Sequence, residues 1–103
     1  MELIETRVFT QQVQATLTPE EYRAFQLYLI LHPELGDRIP GTGGLRKIRW
    51  RVANRGKRGG IRVIYFWKSA ADQLFLLFLY PKNVRSDLSA TELRTLRALI
   101  TDD

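Results

Sequence analysis

Apolar and polar residues alternate along this 103-residue chain with two different periods, and the switches between them mark a strand, helices, three successive strands and a closing helix. The stretch from Leu3 to Phe9, with Leu3, Ile4, Val8 and Phe9, predicts a short first strand, and Gln11 to Thr16 a short helix or turn. Thr18-Pro19-Glu20-Glu21 then combines three helix-start signals: a capping threonine, a proline at the first helical position and a glutamate three residues after the cap. Tyr22, Phe25, Leu29 and Pro33 form the inward stripe of that helix, with Leu27, Ile30 and Leu31 widening it. Pro33 and Gly36 end it.

The pattern changes to period two after the loop Gly41-Thr42-Gly43-Gly44. From Leu45 to Val52, Ile48, Trp50 and Val52 share one face, while Lys47, Arg49 and Arg51 share the other. A loop from Ala53 to Gly60 leads to a second strand, Ile61 to Trp67, which is apolar on both sides except for Arg62. A turn near Ser69 to Asp72 leads to a third, Leu74 to Tyr80, stopped by Pro81. Ser89-Ala90-Thr91-Glu92 is a capping box for the last helix, whose Leu93, Leu96, Leu99 and Ile100 face the core. This order predicts one α+β domain over residues 1–103: a small twisted antiparallel sheet, its last three strands a meander and its first strand on an edge, with helices packed on one face. The uncovered face or its rim would then carry the cations.

Charge sharpens that picture. Arg38, Arg46, Lys47, Arg49, Arg51, Arg55, Lys57, Arg58, Arg62 and Lys68 lie between Asp37 and Asp72 with no acidic residue among them, so the formal charge of +5 is concentrated in one block. Such a block captures polyanions, because each cation that meets a phosphate releases condensed counterions. Interleaved Trp50, Tyr65, Phe66 and Trp67 favour nucleic acid over a merely solvated surface. The absence of cysteine excludes disulfides, thiolate metal sites and cysteine nucleophiles, and fits a reducing compartment. An acidic start and a longest apolar run of Leu74 to Tyr80 predict a cytoplasmic protein with neither signal peptide nor membrane span.

Conventional hydrolytic machinery is scarce. The single histidine, His32, falls at a helix C-terminus, where its charge would complement the dipole. The carboxylates lie outside the basic block, which disfavours a bound magnesium ion, and neither glycine cluster opens a helix as a phosphate-binding fingerprint must. Cleavage of RNA by its own 2′-hydroxyl survives this elimination. It requires cations aimed at the phosphate, a proton acceptor and a proton donor, with no metal and no cofactor. Lys47, Arg49, Arg62 and Lys82 are candidates for the charge, Lys47 or Lys82 for moving protons, and Tyr80 for donating a proton or stacking on a base. Arg46, Arg51, Arg55, Lys57 and Arg58 are candidates for binding RNA along its backbone.

Taken together, Gly41-Thr42-Gly43-Gly44-Leu45-Arg46-Lys47-Ile48-Arg49 and Lys57-Arg58-Gly59-Gly60-Ile61-Arg62-Val63-Ile64-Tyr65 resemble the signature of the RelE/HigB superfamily of bacterial type II toxins, in its HigB-like branch. Leu31-His32-Pro33-Glu34-Leu35-Gly36-Asp37 upstream, and Tyr80-Pro81-Lys82-Asn83 with Ser86-Asp87-Leu88 downstream, extend the likeness over about the last three-quarters of the chain. The resemblance implies a fold similar to microbial ribonucleases and a ribosome-dependent cut of messenger RNA in the A site. It also implies inhibition by a cognate antitoxin. Lys47 and Arg49 match the basic pair after the glycine loop, Arg62 the arginine expected to hold the scissile phosphate, and Lys82 the basic position after the last strand. Asn83 stands where RelE commonly has arginine, and Leu88-Ser89 where a tyrosine is expected, so the general acid stays open between Lys82 and Tyr80. Two alternatives remain at this level: a ParE-like gyrase poison and a non-enzymatic RNA-binding module.

Overall fold

The structure, a computed structural model, describes residues 1–52 and 60–100. Its elements in chain order are β1 (Glu2–Glu5), α1 (Arg7–Thr16), α2 (Pro19–Leu31), β2 (Asp37–Arg38), β3 (Arg46–Trp50), β4 (Ile61–Lys68), β5 (Gln73–Pro81) and α3 (Ala90–Ala98), with a 3₁₀ turn at Ser69–Ala71 between β4 and β5. The α+β class is as the sequence implies, and β3, β4 and β5 form the expected antiparallel meander. The five-stranded sheet has the order β1-β5-β4-β3-β2. No helix among the described residues is long and apolar enough to cross a membrane.

Both anticipated capping boxes are present. The Thr18 side chain accepts from the Glu21 amide while Glu21 accepts from the Thr18 amide, and Ser89 and Glu92 do the same for α3. The first strand is shorter than its apolar residues suggest. Thr6 caps α1 by accepting from the Phe9 amide at 3.0 Å, and its hydroxyl donates to the Leu77 carbonyl at 2.8 Å, so Val8 and Phe9 are helical. Phe9 and Val13, one helical turn apart, and Leu17 at the cap are buried beneath the sheet.

Two features depart from a purely antiparallel sheet covered on one side. β1 pairs with β5 in parallel, Leu3 beside Leu74, because two helices carry the chain back before the meander begins. The helices also divide between the faces. Phe9, Val13, Phe25 and Leu29 from α1 and α2 pack with Ile48, Val63, Tyr65 and Leu74, whereas Leu96 and Ile100 at the C-terminal end pack with Leu45, Ile64, Leu77 and Tyr80 on the other side. The strands are apolar on both faces, so each face takes a cover. The inward stripes are correspondingly narrower than the pattern suggests: Leu27 and Leu31 of α2 are 56% and 72% exposed, and Leu99 of the closing stripe is exposed too.

A β-bulge connects this packing to the site. Ile64 pairs with Phe78 and Tyr65 with Leu76, leaving Leu77 without a partner. Leu74 and Leu76 therefore face α1 and α2, while Leu77 and Phe78 both face α3. Beyond the extra residue the alternation resumes one step displaced, and Tyr80 arrives on the same face as Arg62, its direct partner.

Candidate functional site

Strand parity selects which cations meet. Across β3, β4 and β5 the partners Arg49, Arg62 and Tyr80 form one row on the face that α3 only partly covers, and Lys47 beside Ile64 lies in the next row. Arg49 is exposed, Lys47 half-buried, and Arg62 6% exposed. Two guanidinium groups directly opposite one another repel, and a bound anion relieves that repulsion. One Arg62 terminal nitrogen donates to the Ile61 carbonyl at 3.3 Å. Lys82 follows β5, where its amide donates to the Gly60 carbonyl at 3.0 Å and anchors the end of β5 beside the start of β4.

A carboxylate from outside the acid-free block, Asp87, joins these cations. Lys47 Nζ donates to Asp87 Oδ1 at 2.7 Å. That bond, with further attraction from Lys82 and Arg62, holds the Asp87 carboxyl below its usual range. Lys47, Arg62, Lys82 and Asp87 thus share one electrostatic neighbourhood. Asp87 is seated by its surroundings: Arg85 Nε and Nη2 donate to its carbonyl at 3.4 and 3.3 Å, and Tyr80 Oη donates to the Ser86 carbonyl at 3.1 Å. Arg85 also forks onto Glu92 of the α3 capping box, at 3.0 and 2.5 Å, and its guanidinium lies 6.0 Å from the centre of the Tyr80 ring.

Tyr80 lies at the end of its strand just before Lys82, as its sequence position suggests, and its hydroxyl is engaged within the fold. It is buried, its hydroxyl donates to the Ser86 carbonyl, and burial pushes its pKa up, so in the free protein it holds the Pro81-to-Ser89 segment. Arg46 lies outside the group. It lies on the opposite face beside Tyr65, and one of its terminal nitrogens donates to the Glu34 and Gly36 carbonyls at 2.8 Å each. Tyr65 Oη completes that anchor by accepting from the Gly36 amide at 2.8 Å and donating to the Pro33 carbonyl at 2.7 Å. Arg51 is exposed just beyond β3, and Arg55, Lys57 and Arg58 lie outside the described residues. His32 caps the C-terminus of α2 with its ring 5.2 Å from that of Tyr28.

The Arg85–Glu92 fork has a measurable signature. Arg85, and then the Ser89 amide, lower the Glu92 carboxyl to about 2. A depressed carboxylate contributes stability above its unfolded value and loses it as pH falls towards the folded one. Wild type should therefore melt above Glu92→Gln at neutral pH, and the gap should close between roughly pH 4.5 and 2. Melting curves at stepped pH check this, and a gap independent of pH would show that the fork is not what Glu92 contributes.

Residues 37–102 match the family model described as "RelE toxin of RelE / RelB toxin-antitoxin system". The matched stretch runs from β2 through α3 and contains Lys47, Arg49, Arg62, Lys82 and Asp87, so the chain belongs to the RelE toxin family, a class of toxin–antitoxin proteins. Its fold is similar to that of a free-state E. coli toxin RelE in which two arginines are replaced by alanine. The two superpose with a TM-score of 0.62 over 95% of this chain and 94% of that one, at 14% sequence identity.

Proposed function

We propose that this toxin is a ribosome-dependent endoribonuclease of the HigB-like branch, which cuts messenger RNA in the A site through the RNA's own 2′-hydroxyl and needs no metal ion. The observation that carries the reading is the placing of Lys47, Arg49 and Arg62 on one sheet face, with Lys82 beside it. Side-chain cations directed at one phosphodiester stabilise the negative charge that develops on its oxygens as the 2′-oxygen attacks. Arg62, held by its burial, would grip the scissile phosphate, Lys47 and Arg49 would share its charge, and Lys82 would protonate the leaving 5′-oxygen. Arg51, Arg55, Lys57 and Arg58 would track the RNA backbone, with loss of affinity at high salt.

A cognate antitoxin, acidic where it meets this face, would silence the toxin in the cytoplasm by covering the cations. Induced expression in a bacterial host tests the whole reading. Wild type should arrest growth, stop a translation reporter and leave new transcript ends within translated regions, whereas Lys47→Ala and Lys82→Ala should restore growth. Growth arrest accompanied by altered plasmid supercoiling and intact transcripts would identify a gyrase poison instead. Binding to ribosomes without new transcript ends would identify an RNA-binding module.

A further inference from the structure

An exposed aspartate on a loop is ordinarily a solubilising residue, and an exposed ion pair contributes between nothing and about 1 kcal/mol. Asp87 is built differently. Its carbonyl is held by Arg85, the carbonyl before it by Tyr80, and its carboxylate is directed onto Lys47 while remaining open to solvent, with a side-chain exposure of 69%. So much support for a carboxylate that adds little stability suggests that its position matters for what binds beside it.

We propose that the Asp87 carboxylate is the proton acceptor for the attacking 2′-hydroxyl, an assignment that rests on the endoribonuclease reading above. In the free protein Lys47 and Asp87 satisfy each other. A phosphate arriving at the cationic row competes for the Lys47 ammonium through charge-assisted hydrogen bonds, which frees the carboxylate next to the reacting group. Asp87 then takes the 2′-hydroxyl proton as the 2′-oxygen bonds to phosphorus. The bond from phosphorus to the 5′-oxygen breaks, and the Lys82 ammonium returns a proton to that oxygen. The products are a 2′,3′-cyclic phosphate and a 5′-hydroxyl; the step leaves Asp87 protonated and Lys82 neutral, and exchange with solvent restores both. No oxidant, metal or water molecule is consumed.

The surrounding charges suit this role. Lys47, Lys82 and Arg62 keep Asp87 ionised in the free toxin, and when phosphate neutralises part of that field the carboxylate becomes more basic as substrate binds. A proton acceptor so placed accelerates the step by roughly 10²–10⁴-fold.

Single-turnover cleavage of message on stalled ribosomes at neutral pH provides the test. Asp87→Asn should bind the ribosome with unchanged affinity and cut at least about 100-fold more slowly. Added formate should restore Asp87→Ala by tenfold or more and do nothing for Lys47→Ala. Should formate have no effect, Asp87 merely positions Lys47 and the assignment is overturned. Cleavage by Asp87→Asn within threefold of wild type would overturn it too, leaving the endoribonuclease reading intact. Wild type that arrests growth yet cuts no message would remove both.

Discussion

Arg62→Ala should slow single-turnover cleavage of ribosome-bound message by roughly 10²–10³-fold, which corresponds to about 2.7–4 kcal/mol of lost transition-state stabilisation. Arg62 is the central member of the row Arg49–Arg62–Tyr80 and the most deeply buried cation at the site. Its guanidinium is fixed before substrate arrives, so little ordering entropy is spent when charge develops on the phosphate oxygens. Arg62→Lys should fall between wild type and alanine, since a lysine keeps the charge but loses the planar fork. Circular dichroism melts would separate lost chemistry from lost packing. A well-folded Arg62→Ala protein that cleaves within tenfold of wild type would remove Arg62 from the phosphate site.

That expectation could be reached from the sequence because Arg62 interrupts an otherwise apolar strand, and a lone cation inside a buried run calls for an explanation. The capping boxes at Thr18 and Ser89 were legible for a similar reason: their signals lie within four consecutive residues, and the bonds they predict are the bonds observed. The less legible features all depend on distant partners. β1 is parallel because its neighbour is Leu74, some seventy residues away. The Leu77 bulge leaves no mark in a run where every residue is apolar, yet it decides the face on which Tyr80 appears. Arg46 and Lys47 are adjacent and equally basic; strand parity sends one to backbone carbonyls and the other to the open face.

Asp87 shows the same limit most clearly, because its contact with Lys47 spans 40 positions. The signal available in sequence was its place between a strand-ending Tyr80-Pro81-Lys82 and a capping box, in a connection too short to wander far from the cations. Nothing in the composition of Ser86-Asp87-Leu88 marks that contact. By contrast the acid-free block, the most conspicuous feature of the chain, is divided by the fold: part of it forms the row at the site, and Arg46 serves the architecture behind it.

Gly60→Ala should be the most destabilising single-methyl change in the described part of the molecule, at roughly 3–5 kcal/mol, combining left-handed strain with overlap against backbone. Gly60 has φ +69°, and a Cβ there would lie 2.3 Å from the Trp50 carbonyl oxygen and 3.0 Å from Arg51 Cα. Neither neighbour can yield as a flexible side chain would, because Trp50 is paired with Ile61 in the sheet. The Gly60 carbonyl also accepts from the Lys82 amide, so displacing it moves the ends of β3, β4 and β5 together, and with them Arg62 and Lys82. Gly41→Ala is the matched control. Gly41 has φ +74° but open space around its missing Cβ, so the conformational term alone, about 1–2 kcal/mol, is expected. Urea unfolding of both variants isolates the overlap as the difference between them, provided the denaturant slopes agree. Equal losses would mean that β3 and β4 approach less closely at Gly60 than this packing requires, and the fixed spacing between Arg62 and Lys82 would lose its structural basis.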